Sequence, residues 1–138
     1  RSPVPRPGLG STFFGPHAPL FRHDSGQLAP HFLSANPAEG GTLRATWQHS
    51  RDSSSVWAQA IQSSSDPAFV APGAVPWLLL RVTGAETGPT GGRRLTTTSY
   101  IQRVNTDGGT APAGDCPAVG AKLFVPYTAD YVLYRARR

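Results

Sequence analysis

The stretch Val75–Gly109, VPWLLLRVTGAETGPTGGRRLTTTSYIQRVNTDGG, decides the fold. Its apolar run Pro76–Leu80 is too short to span a membrane, so it predicts a strand that is buried on both faces and interrupted at Gly84. A glycine-rich turn follows. The segment Thr96–Asn105 is rich in β-branched and aromatic residues and predicts a second strand, which returns along the first and ends in another glycine-containing turn.

A third aromatic segment, Val125–Tyr134 (VPYTADYVLY), completes this centre. The 15 Gly and 14 Pro residues favour many short strands joined by turns. We therefore predict an all-β fold, an antiparallel β-sandwich or flattened barrel of about eight short strands. The length of 138 residues fits one such domain over residues 13–135.

Three further strands are predicted upstream, over Leu28–Leu33, Thr42–His49 and Val56–Gln62. In Thr42–His49 apolar and polar residues alternate, which is typical of a strand with one buried and one wet face. The Ala and Gln residues of Val56–Gln62 also allow a short helix, but the polar turn before this segment favours a hairpin.

The chain termini carry most of the net charge of +5. Without Arg1, Arg6, Arg137 and Arg138, nine basic residues remain against eight acidic ones. Because no basic stripe interleaved with aromatic residues is present, nucleic-acid binding is not expected. No segment predicts a membrane span.

Residues 1–12 form a proline-rich segment that favours an extended arm. Such an arm is either a disordered tail or a segment that lies on a neighbouring molecule. The second possibility assigns the contacts to Arg1, Pro3, Val4, Pro5, Pro7 and Leu9. Residues 136–138 are a basic tail.

No constellation of catalytic residues is evident. The histidines His17, His23, His31 and His49 lack the close spacing of zinc ligands, so we predict no metal and no cofactor. Cys116 is the only cysteine and follows Asp115, whose negative charge disfavours a reactive thiolate.

Two tryptophans, Trp47 and Trp57, flank the predicted hairpin and are candidate sugar-stacking residues, together with exposed tyrosines. The alternative, that these rings pack in the core, is the more common use of large aromatic side chains. Arg103 lies in the middle of a predicted strand, where an unpaired charge is costly, and Asp130 is its predicted partner.

Several motifs resemble one family, the secreted bacterial and fungal domain of unknown function 3455. They include PWLLL at 76–80, YIQRVNT at 100–106 and VPYTADY at 125–131. The resemblance rests on Pro76, Trp77, Leu79, Tyr100, Gln102, Arg103, Asn105, Gly108, Gly109, Tyr127, Asp130 and Tyr131. It implies export and a β-rich domain, and it implies no reaction.

The family usually begins with a strand around a Gly-Gln-x-Tyr-x-Cys pattern, which Gly10–Phe14 does not contain. By that resemblance Cys116 lacks its natural disulfide partner and is a lone thiol. The chain also contains no Met, which is expected of a processed chain such as an exported one.

A sheet that lacks its first strand presents an open edge, which another chain can fill. We therefore expect a secreted structural protein, extracellular or on the cell surface, whose copies assemble head to tail into a fibre. A carbohydrate-binding module is the alternative, with glycans as partners. An enzyme using His31 and His49 is the third and weakest hypothesis.

Overall fold

The structure is a computed structural model, and it describes residues 18–21, 26–110 and 125–135. Seven strands account for most of this part of the chain. They are β1 (Ala18–Phe21), β2 (Gln27–Asn36), β3 (Thr42–Gln48), β4 (Ser55–Ser64), β5 (Trp77–Glu86), β6 (Thr98–Gly108) and β7 (Tyr127–Arg135).

The strands form one antiparallel sheet in which each pairs with its neighbours along the chain, in the order β1 to β7. The sheet is curled into a half-barrel, with β1 and β7 as its two edge strands. The predicted all-β antiparallel fold is confirmed. The single curled sheet is close to the predicted sandwich or flattened barrel, since one sheet that wraps around its own core gives a similar burial pattern.

Short polar turns join the central strands. Between β2 and β3, the short 3-10 helix Pro37–Glu39 is capped by Asn36, whose Oδ1 accepts a hydrogen bond from Ala38 N at 3.0 Å. Between β3 and β4, Asp52 Oδ1 accepts hydrogen bonds from Ser54 N and Oγ at 2.9 and 2.7 Å. The second turn produces the predicted hairpin and excludes a helix at the start of β4.

The prediction that Gly84 interrupts the first strand is wrong, because β5 continues to Glu86. Glycine is required there for another reason. A Cβ at position 84 would lie 2.3 Å from Oδ1 of the buried Asn36 side chain. β5 is also half-buried along most of its length, with Leu80 as its one buried residue, and not buried on both faces as predicted.

The hydrophobic core lies on the concave side of the sheet. Its fully buried members come from most strands and the β5–β6 connection: Leu20, Trp47, Val56, Ala58, Leu80, Leu95 and Ile101. In the sheet register Trp47 lies opposite Val56, and Leu80 opposite Ile101, so alternate residues of neighbouring strands share this face.

The curl of the sheet brings its two ends together above this core. The rings of His31 and Trp47, on β2 and β3, lie 5.5 and 6.0 Å from that of Tyr131 on β7. Since β7 is a sheet neighbour of neither β2 nor β3, these contacts cross the concave space. Among the described residues no helix is long and apolar enough to cross a membrane.

Candidate functional site

Five side chains from β2, β3, β6 and β7 meet where the curl brings the two ends of the sheet together. They are His31, Trp47, Arg103, Tyr127 and Tyr131, called the concave cluster below. His31, Trp47, Arg103 and Tyr131 each have a residue of the core or one packed against it two positions away on the strand or opposite in the register, which places them on the concave face. Tyr127 shares that face because it alternates with Ala129 and Tyr131 on β7.

His31 and Trp47 form the inner wall of the concave cluster. They are opposite each other in the β2–β3 register and their rings stack, with centroids 4.1 Å apart and planes 13° apart. His31 Nδ1 donates to Thr46 O at 2.9 Å, which leaves Nε2 as an acceptor in the neutral ring.

Burial is the main reason that the pKa of His31 falls to about 4. The Thr46 carbonyl opposes this effect, and the nearby positive charge of Arg103 adds to it. The imidazole is therefore neutral at physiological pH. It supplies an aromatic surface and a hydrogen-bond acceptor, and no positive charge.

Among the described residues, Arg103 is held by a backbone carbonyl and the Tyr131 hydroxyl and by no carboxylate. Its Nε and Nη2 donate to Pro76 O at 3.0 and 2.8 Å, and it lies opposite Tyr131 in the sheet. The predicted pair with Asp130 is wrong. Asp130 opposes Val104, so it projects from the other face of the sheet, where its Oδ2 accepts from Asn105 Nδ2 at 2.9 Å.

Tyr127 and Tyr131 complete the outer wall, with their hydroxyl oxygens 3.0 Å apart. Burial and the hydrogen bond with Tyr127 raise the pKa of Tyr131 well above its usual range. Both effects exceed the opposing influence of Arg103. Tyr131 therefore remains a neutral phenol whose hydroxyl is paired with that of Tyr127.

The buried indole N–H of Trp47 is one that the described residues leave unpaired. Its side chain is 1% exposed, and its Nε1 has no hydrogen-bond partner among the described residues. Trp77 Nε1, which lies outside the concave cluster, is also buried without a hydrogen-bond partner among the described residues. Because a buried donor without an acceptor costs about 1–3 kcal/mol, such a group needs an explanation, such as a bound water or ligand.

Trp57 lies on the convex face within a hydrogen-bonded network. It is 7% exposed, and its Nε1 donates to Ser34 Oγ at 2.9 Å. Since Trp47 and Trp57 are both buried, neither offers an exposed ring to a sugar.

Glu39, also outside the concave cluster, is stabilised as a carboxylate. Hydrogen bonds from Arg44, then from Thr83 and Asn36, lower the pKa of Glu39 to about 2.

Two exposed tyrosines lie side by side on the convex face. Tyr100 and Tyr134 are opposite each other on β6 and β7 and are 41% and 46% exposed. Arg81 extends the same row on β5, and Tyr134 Oη donates to Gln102 Oε1 at 2.9 Å. This row of side chains is called the convex tyrosine row below.

The other motif residues serve the sheet. Thr106 Oγ1 donates to Val75 O at 2.6 Å, and Gly108 and Gly109 adopt φ of 73° and 95° beside the isolated bridge to Ala74. Pro76, Trp77, Leu79 and Asn105 lie in or beside β5 and β6. Cys116 and the arm residues of 1–12 lie outside the described residues.

Among the residues that the structure describes, no group of three His, Cys, Asp or Glu could hold a metal ion. His49, proposed with His31 as an enzymatic pair, lies in the β3–β4 turn, where its Nδ1 accepts from Arg51 N at 3.0 Å and lies 3.8 Å from Asp52 Oδ1. His31 and His49 are therefore held by different partners, His31 by Thr46 O and His49 by the β3–β4 turn.

A family comparison now places the chain. The model of the family described as "Protein of unknown function (DUF3455)" matches residues 7–135. The chain belongs to the DUF3455 family. No curated protein and no solved structure matches it. The match covers all seven strands of the DUF3455 sheet and the whole concave cluster.

Sequence reasoning singled out four members of the concave cluster, though not their proximity, and considered the fifth, His31, only as a metal ligand or base. The position of His31 in the sequence nevertheless predicts which face of the strand it occupies. His31 alternates with Ala29 and Leu33 in a predicted strand, which places it on the apolar face.

Proposed function

We propose that this protein is an exported structural subunit whose copies assemble head to tail into an extracellular fibre. Each copy completes the sheet of the next with an extended segment. The observation that carries the proposal is the curled sheet with two edges, since β1 and β7 each pair on one side only within the described residues. Strand addition at such an edge supplies backbone hydrogen bonds to an incoming chain.

β7 is the edge better suited to accept a strand. It is nine residues long and contains neither Pro nor Lys, the residues with which proteins commonly block an edge. Its Val132 and Tyr134 side chains are 39% and 46% exposed. β1 has four residues, including Pro19, and offers a much shorter surface.

The incoming segment in this proposal is the arm of residues 1–12 of another copy. Its prolines favour an extended conformation, which lowers the entropy lost on docking. Exchange between copies in one direction does not close into a ring unless the rotation permits it, so it generates filaments.

The test is the assembly state of the purified chain, measured by light scattering and negative-stain microscopy. We expect filaments whose length increases with protein concentration. Val4→Asp and Leu9→Asp should shorten them or abolish them, whereas Ser2→Asp, a matched change in the same arm, should not. A monodisperse monomer at high concentration would contradict the proposal.

Proline substitutions test the edge itself. Val132 and Leu133 are neighbours on β7. Because backbone amides alternate in direction along an edge strand, the N–H of one of them points towards β6 and the N–H of the other points away from it. Proline at the outward position should prevent assembly and preserve the fold, and proline at the inward position should destabilise the sheet. Val132→Thr keeps the amide and is the control. Normal filaments in both proline variants would exclude β7 as the docking edge.

Carbohydrate binding is the second candidate, and the convex tyrosine row favours it. Two exposed phenol rings side by side, with Arg81 and Gln102 beside them, offer stacking surfaces and polar contacts. Sedimentation with insoluble cellulose or chitin tests this. Tyr100→Ala and Tyr134→Ala should release the protein, whereas Phe69→Ala, at a ring that is 65% exposed, should not. No binding by the unchanged chain removes this candidate.

A further inference from the structure

The concave cluster contains hydrogen-bond donors that the described residues do not satisfy. Trp47 Nε1 is buried and has no acceptor in the part of the chain that the structure describes. Arg103 uses two of its N–H groups on Pro76 O, also hydrogen-bonds to the Tyr131 hydroxyl, and forms no ion pair with a described carboxylate, which leaves part of its five-donor guanidinium for a ligand. A guanidinium, an indole N–H and two phenols together form an environment that favours an anion.

Four of the six carboxylates that the structure describes have other partners. Glu39 binds Arg44, Asp52 binds Ser54, and Asp130 binds Asn105. Asp66 accepts from Ala68 N. The cation of the concave cluster is therefore not neutralised by any of these four residues.

The walls of the concave cluster are flat and aromatic. His31 and Trp47 stack within 4.1 Å, and Tyr131 meets both rings edge-on. A planar apolar body fits such walls, because aromatic surfaces pair with offset or perpendicular rings. The neutral imidazole adds no second positive charge, so the arrangement suits a single negative group.

From these features we propose that the concave cluster binds a small organic acid. Its carboxylate is placed between Arg103 and the Trp47 indole, and its planar apolar body lies against the His31, Trp47 and Tyr131 rings. Arg103, Tyr127 and Tyr131 are half-buried, so solvent reaches this end of the concave cluster. This proposal is independent of fibre assembly and of glycan binding.

The test uses benzoate as the probe and the indole N–H resonances of the 15N-labelled full chain as the readout. The chain has three tryptophans, and Trp47→Phe assigns the signal of Trp47. We expect a saturable downfield shift of that signal, because its donor gains an acceptor. The Trp57 indole, which already donates to Ser34 on the opposite face, is the internal control.

Benzamide, a neutral compound of the same shape, separates charge recognition from ring stacking without any variant. We expect it to bind at least about tenfold more weakly than benzoate, the range expected of a hydrogen bond to a charged group. Calorimetry should also show a loss of about tenfold or more for Arg103→Gln and a smaller loss for Trp47→Phe. Arg81→Gln, on the convex face, should bind as the unchanged chain does.

Three results would overturn the proposal. The first is no shift of the Trp47 signal in millimolar benzoate, and the second is equal binding of benzamide. The third is benzoate binding only after Asp24→Asn or Asp115→Asn, which would show that one of the chain's own carboxylates fills the site. If Arg103→Gln does not fold, Arg103→Lys, which keeps the charge, and the benzamide comparison still decide the question.

Discussion

At the scale of single residues, His31 connects the fold to pH. Its pKa falls from 6.5 in an exposed ring to about 4 in the fold, chiefly because it is buried. Between these two values the unfolded chain binds a proton that the folded chain does not. The free energy of unfolding therefore decreases as the pH is lowered through this window.

We expect this loss to reach about 3 kcal/mol near pH 4, since each unit of pKa shift is worth about 1.4 kcal/mol. Urea unfolding at a series of pH values measures it. His31→Phe should remove most of the pH dependence in this window. Glu39, with a pKa lowered to about 2 mainly by Arg44, loses its contribution only below its ordinary value of 4.5, so it leaves the upper part of the window unaffected. An unchanged profile in His31→Phe would contradict the assignment.

Gly84 is a second residue with a specific packing role. In Gly84→Ala the new Cβ would lie 2.3 Å from Asn36 Oδ1, in a side chain that is fully buried and hydrogen-bonded to Glu39 and Thr83. We expect a loss of about 1–3 kcal/mol in unfolding free energy by urea titration. Gly26→Ala, where no atom lies within 4 Å, is the matched control and should change stability by less than about 0.5 kcal/mol.

At the scale of elements, β6 is defined by its irregularity. Its register with β7 shifts between Val104 and Asp107, and Asn105 within this bulge has a positive φ of 51°. Asparagine tolerates this conformation better than most residues, and here its side chain also donates to Asp130. The bulge positions the end of β6 against Val75, through the hydroxyl of Thr106.

The stability of variants at Asn105 should depend more on whether the new residue tolerates a positive φ than on the loss of the hydrogen bond to Asp130. Asn105→Gly keeps access to positive φ and should be nearly neutral, because the lost contact with Asp130 is exposed. Asn105→Ala should cost about 1–2 kcal/mol, and Asn105→Val more. Thermal unfolding of the three variants gives the ranking. Equal losses in Asn105→Gly and Asn105→Ala would show that the hydrogen bond dominates, because both variants lack the side chain that donates it.

The strands could be predicted from the sequence, because apolar and polar residues alternate in a strand that buries one face. Thr42–His49 shows this well, and its prediction differs from β3 by one residue at the end. Gly84 was misinterpreted because glycine interrupts strands more often than it permits close packing against a neighbour. The bulge in β6 left no signal beyond Asn105 itself.

The concave cluster could not be assembled from sequence, since its contacts depend on curvature. Residues on β2 and β7 are about a hundred positions apart, and alternation says only which face each occupies. The error over Arg103 and Asp130 has the same origin. Both lie in paired strands, but the register that places them on opposite faces is set by bulges that the sequence pattern does not reveal.

At the scale of the whole molecule, stability should decrease from the centre of the sheet towards its edges. β4 is the middle strand of seven and pairs with β5 over most of its length, whereas β1 and β7 have one strand neighbour each in the described sheet. Native-state hydrogen exchange should therefore be slowest in β4 and β5 and fastest in β1 and β7.

Assembly gives this measurement a second use. If copies join at β7, its amides should become protected in filaments while those of β4 change little. Val132→Pro or Leu133→Pro, whichever blocks the outward amide, is the unassembled control. Equal exchange of β7 in filaments and in that control would contradict docking at this edge.

The sequential order of the strands also has a consequence for synthesis. Because every strand pairs with the one made just before it, the sheet can grow by successive hairpins while the polypeptide emerges from the ribosome. The contacts of Tyr131 with His31 and Trp47 must await the synthesis of β7. A nascent chain stalled before β7 should thus carry an ordered sheet whose ring contacts with Tyr131 have not yet formed, and these contacts would form in a late docking step.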